Sequence, residues 1–274
     1  MKLYAVFGNP IQHSKSPYLH NVTFHKLGID ARYVRILLES TINARDFRNR
    51  FFEYGLSGAN ITIPFKEIAL DSCDEVMGIA QKIGAINTIV CRGERLLGYN
   101  TDAMGFYRNI ERKKLQTALI IGAGGSARAI AFILQEHGIK TTIINRSPNR
   151  LAFFRENGFK CASFGEFGAN LKARNLGENQ AQYDLIINAT SSSINNELPL
   201  DSAILVKLFS NAKIAFDLMY GKKCPFLELA KKSDKIRKIQ TIDGANMLRY
   251  QAIEASSLFL NKPYKNIEKA MPKV

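Results

Sequence analysis

The chain is poor in cysteine, in acidic side chains and in long apolar runs. Its four cysteines, Cys73, Cys91, Cys161 and Cys224, are scattered and form no Cys-x-x-Cys pair. That argues against a disulfide framework and against thiolate zinc sites, and for reduced thiols. No apolar run approaches the roughly 18 to 20 residues of a membrane-spanning helix. The opening Met1-Lys2-Leu3-Tyr4-Ala5-Val6-Phe7-Gly8 carries one charged side chain and is too brief for a signal peptide. The cytoplasm is therefore the expected compartment. Internal repeats and low-complexity segments are also missing. His13, His20 and His25 lie close together, but His20 and His25 are five positions apart and do not share a helix face, so no metal site is expected.

The deficit of acid leaves 24 Asp and Glu against 38 Lys and Arg, a net charge of +14. Such a balance suits either nucleic acid or anionic small molecules. The basic residues are spread along the chain, with only short clusters such as Arg112-Lys113-Lys114 and Lys231-Lys232. No zinc-finger spacing or RNA-binding signature accompanies them. The expected partner is thus a small anion, with no nucleic acid and no membrane. At 274 residues and 46% apolar content, the chain can build one large domain or two ordinary ones around real cores.

The first hundred residues alternate strand and helix. Residues 3–7 form an apolar run that predicts a buried strand. Ser16-Pro17 predicts a helix start, with the serine as N-cap and the proline at the first helical position; Leu19, Val22 and Leu27 form its stripe and Gly28 its stop. Residues 32–37 predict a strand, 42–54 a helix closed by Gly55, and 58–63 a third strand. Residues 68–79 predict one helix. Residues 85–92 and 96–99 predict a hairpin around Gly93. The result is a mainly parallel α/β unit with one antiparallel excursion. A second unit begins near residue 105. Residues 117–121 predict a strand, 126 to 135 or 137 a helix ended by Gly138, and 141–145 a second strand. Further apolar strands are predicted at 184–189 and 214–218, and the polar stretch 165–182 is expected at the surface. Residues 246–260 predict one long helix that packs back onto the first unit.

Gly122-Ala123-Gly124-Gly125-Ser126-Ala127 joins the first strand of the second unit to its helix. Such a turn can be an ordinary strand–helix connection. Here, Gly122 permits the tight turn, Gly124 lets a pyrophosphate approach the backbone, and Ala127 is small enough for helix–strand packing. The helix N-terminus offers N–H groups to phosphates. This is a Rossmann-type dinucleotide turn. An NAD enzyme would place an acid about 20 residues on, for the ribose 2′-OH. This chain instead has Asn145-Arg146-Ser147-Pro148-Asn149-Arg150, with no acidic residue. Arg146 and Arg150 suit a 2′-phosphate, so NADP(H) is the expected cofactor.

In the first unit, Gly8-Asn9-Pro10-Ile11-Gln12-His13-Ser14-Lys15-Ser16-Pro17 runs into a helix N-terminus. Ser14 and Ser16 can offer hydroxyls to a carboxylate there, or Ser16 can simply cap the helix. Asn60, Thr62, Asn87, Asn100 and Thr101 are neutral hydrogen-bonding residues at strand ends; each alone is an ordinary turn or cap residue, and together they suit a polyhydroxylated ligand. Lys66 and Asp102 supply a proton-transfer pair beside the hydride chemistry of a nicotinamide, although a surface lysine and a helix N-cap would fit those two residues taken singly.

These residues fall in an ordered set of motifs that resembles the shikimate dehydrogenase family over nearly the whole chain. The set comprises the Gly8 to Pro17 loop; Asn60-Ile61-Thr62 with Lys66; Gly84-Ala85-Ile86-Asn87-Thr88; Gly98-Tyr99-Asn100-Thr101-Asp102; the glycine turn; Asn145-Arg146-Ser147; Asn188-Ala189-Thr190-Ser191-Ser192; Asp217-Leu218-Met219-Tyr220; and Gly244, Met247-Leu248 and Gln251. The resemblance implies reversible NADPH-dependent reduction of 3-dehydroshikimate to shikimate. It implies a substrate domain of residues 1–104 and 243–274 and an NADP-binding domain of residues 105–242, with a cleft that closes on binding, in a monomer or homodimer. It implies that Ser14 and Ser16 hold the carboxylate. Asn60, Thr62, Asn87, Asp102, Tyr220 and Gln251 would surround the ring, with Lys66 as main acid/base beside Asp102. Gly122, Ala123, Gly124, Gly125, Ser126 and Ala127 would carry the cofactor. Asn145, Arg146, Ser147 and Arg150 would surround its 2′-phosphate, and Thr190, Leu218 and Gly244 its nicotinamide half.

The chain departs from the family pattern in places. Ser193 stands where glycine is usual, Ala245-Asn246 where Leu-Gly is usual, Arg249-Tyr250 precedes Gln251, and Ser147 replaces a commoner threonine. An NAD-preferring quinate/shikimate dehydrogenase is the nearest rival, and the missing acid after Ile144 argues against it. A catalytically silent NADP-binding regulator would be expected to have lost Lys66 or Asp102, and both are present.

Overall fold

A computed structural model describes residues 1–173, 183–221, 224–233 and 239–274. It divides into two compact units. One comprises Met1–Asn109 with Asn246–Val274, the other Ile110–Ala245.

The first unit contains β1 (Lys2–Gly8), α1 (Ser16–Lys26), β2 (Ala31–Leu37), α2 (Ala44–Glu53), β3 (Leu56–Ile61), α3 (Lys66–Asp71), β4 (Glu75–Val76), α4 (Ile79–Ile83), β5 (Thr88–Arg92), β6 (Arg95–Tyr99) and α5 (Asp102–Tyr107). Its sheet runs β2-β1-β3-β5-β6-β4. Strands β1, β2 and β3 are parallel, while β5 is antiparallel to both β3 and β6. Side chains alternate between the two faces of a strand, and β1 is apolar on both. Ala5 and Phe7 pack with Phe47, Phe51 and Phe65 on one face. Tyr4 and Val6 pack with Phe24, Tyr33 and Phe259 on the other. Burying each such aromatic contributes roughly 1.5–3 kcal/mol. That explains why β1 reads as a continuous apolar run.

The second unit contains β7 (Thr117–Ile121), α6 (Gly125–Glu136), β8 (Lys140–Asn145), α7 (Ala152–Glu156), β9 (Lys160–Ser163), α8 (Phe164–Ala173), β10 (Leu185–Asn188), α9 (Ser202–Phe209), β11 (Ile214–Asp217), α10 (Pro225–Ser233) and β12 (Gln240–Ile242). Its sheet is parallel, in the order β12-β11-β10-β7-β8-β9. Strand order reverses between β7 and β10, the topological switch of a Rossmann-type sheet. Two final helices, α11 (Ala245–Leu260) and α12 (Tyr264–Ala270), follow. The long helix predicted at 246–260 is α11, and from Asn246 it belongs to the first unit. Phe259 stacks on Tyr4 at 4.8 Å between ring centroids. A Cβ at Gly58 would stand 2.8 Å from the Phe259 ring, so glycine is what lets α11 lie against β3.

Three expectations are corrected. Ser16 is not the N-cap of α1. Lys15 holds that position without a side-chain cap bond, and Ser16 and Pro17 are the first two helical residues. The serine that meets the helix end is Ser14, whose hydroxyl accepts the Ser16 N–H at 3.3 Å. Residues 68–79 are not one helix. The Asp74 N–H pairs with the Leu96 carbonyl, β4 pairs with β6, and Gly78 turns the chain at φ +57 before α4 begins. Tertiary pairing there overrides a helical pattern. The stretch 165–182 is not all surface. Its first part lies in α8, where Phe167 is buried against Leu119, Ile186 and Leu205, and residues 174–182 lie outside the described residues. Elsewhere only ends shift: the strand predicted from residue 85 starts at Thr88, and the helix predicted from 42 starts at Ala44 under an Asn43 cap. No helix among the described residues is long and apolar enough to cross a membrane.

Candidate active site

In the first unit, the C-terminal ends of β1 and β3 and the start of β5 bring polar side chains to one place. Phe65, fully buried, anchors the turn after β3, and Lys66 opens α3 directly behind it. Asp102 is the first helical residue of α5, with Thr101 at the N-cap. Lys66 Nζ donates to Asp102 Oδ2 at 2.5 Å, and the side chains are only 14% and 11% exposed. Neither residue stands as the surface lysine or N-cap aspartate that it suggests when read alone. Asn87 Nδ2 donates to the other carboxylate oxygen, Oδ1, at 2.8 Å. The pair is thus held by charge and by hydrogen bonding together. Removing one member of a buried ion pair leaves the other uncompensated, typically at roughly 3–5 kcal/mol.

Asn87 is itself fixed. Its Oδ1 accepts from the Thr101 N–H at 2.7 Å, the Thr101 hydroxyl at 3.1 Å and the Thr88 hydroxyl at 3.0 Å. Gln251, on α11, accepts through Oε1 from Asn87 Nδ2 at 3.5 Å and the Thr101 hydroxyl at 3.4 Å. Asn60 joins from β3, donating to the Asn87 carbonyl and the Thr88 hydroxyl. Asn100 donates to the Ala85 carbonyl at 2.9 Å and so holds the loop before β5. Thr62 leaves β3 with its N–H on the Phe7 carbonyl, and its methyl presses on Gly8, where a Cβ would stand 2.5 Å away. Ser14 and Ser16 lie on the loop after β1 and at the helix start that follows it, and Arg35 clamps that loop by donating twice to the Ser14 carbonyl, at 3.0 and 2.6 Å. Tyr220 lies in the other unit, after β11; burial raises its phenol above the ordinary value.

Tyr33, Thr88, Arg35 and Gly105 also build this site. Gly105 carries a signal, since a glycine inside a helix marks a close approach: its Cβ would fall 2.7 Å from Gln251 Cβ. Tyr33 and Arg35 carry none, because their partners are 27 and 21 residues distant.

In the second unit, the glycine turn sits between β7 and α6. Gly122 has φ +115 and its N–H on the Ile144 carbonyl; a Cβ there would meet the Ala189 backbone at 3.0 Å. Gly124 caps α6 with open space beside it, Gly125 and Ser126 begin the helix, and Ala127 is fully buried, with Ala123 nearly so. The helix N-terminus therefore meets an uncluttered turn, as a bound diphosphate needs. Adjacent β8 ends at Asn145, whose amide donates to the Ser147 carbonyl at 3.0 Å. Arg146, Ser147 and Arg150 are exposed beyond it. Across the switch point, Thr190 follows β10, its hydroxyl on Asn188 Oδ1 at 2.7 Å. At Gly244 a Cβ would collide with the Leu218 carbonyl oxygen, so only glycine fits. The donor set, the two glycine cradles and the lack of an acid at 145–150 fit a phosphorylated dinucleotide.

Beneath this rim lies a buried carboxylate. Asp217 Oδ2 accepts from Asn188 Nδ2 at 2.7 Å, Ser193 Oγ at 2.8 Å and Cys224 Sγ at 3.1 Å, and Oδ1 accepts the Met219 N–H at 2.8 Å. Burial pushes the Cys224 thiol up to about 11, so it stays a donor.

A parallel sheet with a dinucleotide-type glycine turn, together with a second α/β unit carrying a buried lysine–aspartate pair, defines a nicotinamide-dependent dehydrogenase of two α/β units. The family model described as shikimate dehydrogenase substrate binding domain matches residues 6–89; one described as ketopantoate reductase PanE/ApbA matches residues 118–198, which include the glycine turn. Shikimate dehydrogenase (NADP(+)) of Helicobacter hepaticus is 50% identical over 263 residues, covering 95% of this chain and 92% of that protein. The protein of the same name from Helicobacter pylori strain P12 is 45% identical over 258 residues, covering 92% and 90%. Shikimate 5-dehydrogenase from Thermus thermophilus, solved in complex with NADP(H) and shikimate, matches with a TM-score of 0.80 at 31% identity, covering 98% of both chains. The chain belongs to the shikimate dehydrogenase family.

Proposed function

We propose that this protein catalyses the reversible NADPH-dependent reduction of 3-dehydroshikimate to shikimate, in the cytoplasm, as a monomer or homodimer. NADP(H), when bound, supplies the hydride for reduction and takes it back in oxidation. In the reductive direction Lys66 delivers a proton to the substrate carbonyl oxygen, and in the oxidative direction it takes the proton of the same hydroxyl. Asp102 holds the Lys66 ammonium in place, and Asn87 holds Asp102. Ser14 and Ser16 bind the substrate carboxylate. Asn60, Thr62, Asn87, Tyr220 and Gln251 meet the ring hydroxyls and the carboxylate surroundings. The first unit serves as the substrate domain and the second as the NADP domain. There, residues 122–127 carry the diphosphate, Asn145, Arg146, Ser147 and Arg150 the 2′-phosphate, and Thr190, Leu218 and Gly244 the nicotinamide half.

The observation that supports this reading most directly is the Lys66–Asp102 contact at 2.5 Å, with Asn87 on the second carboxylate oxygen, in a chain of this family. The test is turnover of shikimate with NADP by the wild type and by Lys66→Ala. The variant should lose kcat by roughly 100- to 10,000-fold, the span of general acid–base contributions, with KM for shikimate nearly unchanged. A large rise in KM with kcat intact would contradict the proton-transfer role.

A further inference from the structure

Beneath the substrate site runs a chain of buried groups that the proton-transfer chemistry does not use. Ser256 on α11 and His20 on α1 are both fully buried, with His20 Nδ1 and Ser256 Oγ 2.8 Å apart. Burial draws the pKa of His20 down to about 3, the Asn60 amide offsetting only part of that, so the ring is neutral. It stacks face to face on Tyr33, with 4.1 Å between centroids and 4° between planes. Tyr33 is 2% exposed although it sits on the edge strand β2. Asn21 binds both sides of its peptide, accepting the Tyr33 N–H and donating to the Tyr33 carbonyl, each at 2.9 Å. Ring and backbone are therefore both fixed.

The fixed phenol points at Asn60. Burial holds it well above the ordinary tyrosine value, with Asn60 and Ser16 opposing that shift in part, so it remains a donor. Tyr33 donates to Asn60 Oδ1 at 2.7 Å. At the other end of the amide, Asn60 Nδ2 donates to the Asn87 carbonyl at 3.2 Å and to the Thr88 hydroxyl at 2.9 Å. An amide nitrogen has two hydrogens and an amide oxygen two lone pairs. Both hydrogens are in use, and the phenol is the one hydrogen-bond donor to the oxygen among the described residues, His20 Nε2 making no hydrogen bond. The Asn87 carbonyl can only accept, which fixes the end that carries the hydrogens; the phenol holds the oxygen end.

We infer that Tyr33 is a positioning residue for the substrate site: it holds the oxygen end of an amide whose hydrogens are already taken by Asn87 and Thr88, so that Asn60 meets a ligand hydroxyl only as an acceptor, selecting a ring substituent that can donate. This rests on the proposed substrate reading, in which Asn60 touches the ring. A buried aromatic with a merely structural role would need no hydroxyl aimed at Asn60.

The test is a double-mutant cycle of Tyr33→Phe and Asn60→Ala, read as KM and kcat for shikimate and KM for NADP. Losing one neutral hydrogen bond should raise the shikimate KM by roughly 5- to 10-fold in Tyr33→Phe, with kcat and the NADP KM within about twofold, as for a contact made equally in ground and transition states. In the Asn60→Ala background, Tyr33→Phe should add nothing. Losses that add fully in the double variant, or an unchanged shikimate KM in Tyr33→Phe, would overturn the inference. A second measurement needs no Tyr33 variant. Methyl ethers of shikimate, made one hydroxyl at a time, keep the oxygen as an acceptor but cannot donate. One position should raise KM in the wild type, and that penalty should vanish in Asn60→Ala. Equal use of all the ethers would refute the selection of a donor. Wild-type protein with no turnover of shikimate itself would fail the substrate reading, and the inference with it; turnover with additive losses would fail the inference alone.

Discussion

Asp102 takes the Lys66 ammonium on one oxygen and the Asn87 amide on the other, so rotating its carboxylate breaks a charge-assisted bond. Lys66 is correspondingly held. Beyond β8 the charged groups are of another kind. Arg146 and Arg150 stand exposed beyond β8 with no acid beside them at 145–150. Arg150→Ala should therefore raise the KM for NADPH several-fold while leaving that for NADH nearly unchanged, because only NADPH carries the 2′-phosphate; equal losses with both cofactors would rule the contact out. Residue types and order make much of this legible. A glycine turn between two strongly patterned elements, and arginines where an acid would bind a ribose, are local signals. Tyr33 and His20 are not legible. Their meaning lies in partners on β3 and α11, and an alternating strand pattern presents Tyr33 as one more core aromatic.

Strands β10 and β11 end on the same carboxylate. Asp217 gathers Asn188 from the first, and Ser193 and Cys224 from the loops that follow, so the segments bearing Thr190 and Leu218 are tied together. Ser193, a departure from the glycine usual in the family, is thus a donor to a fully buried charge. Ser193→Gly should cost roughly 1.5–3 kcal/mol, the range for a hydrogen bond to a charged group, seen as a lower urea midpoint. A midpoint equal to the wild type would show that the bond adds nothing. Arg249, another departure, donates to the Glu268, Met271 and Pro272 carbonyls and fastens the end of α12. Elements with their own periodic pattern are read correctly from sequence, as β7, α6 and α11 show. The segment 68–79 is misread because its break is imposed from outside: Asp74 takes the Leu96 N–H, and β4 pairs with β6. Ser16 is misread by one position, since a serine one residue inside a helix looks the same as a cap.

At the scale of the whole molecule, the two units each carry their own sheet and core, and the chain returns to the first unit through α11 and α12. The net charge of +14 suits anionic ligands in both units. Acid should unfold the protein early. His20 is neutral in both folded and unfolded states above its ordinary value of 6.5. As pH falls from 6.5 toward about 3, the unfolded chain takes up a proton that the folded chain refuses, so stability is lost through that window and no further below it. The loss runs at about 1.4 kcal/mol per pH unit. Asp74 adds to this at lower pH. The Leu96 N–H, and then Arg48, hold it below its ordinary 3.8, so its contribution is present above that value and lost as pH falls through the folded one. Urea midpoints at pH 7 and pH 4 should fall less for His20→Asn than for the wild type; identical falls would contradict a buried neutral ring. The most direct single measurement is nicotinamide absorbance with purified protein, crossing shikimate and quinate with NADP and NAD. Rapid reduction of NADP with shikimate, and little in the other three pairs, is the expected result. Turnover chiefly with NAD or quinate, or none in any pair, would contradict it.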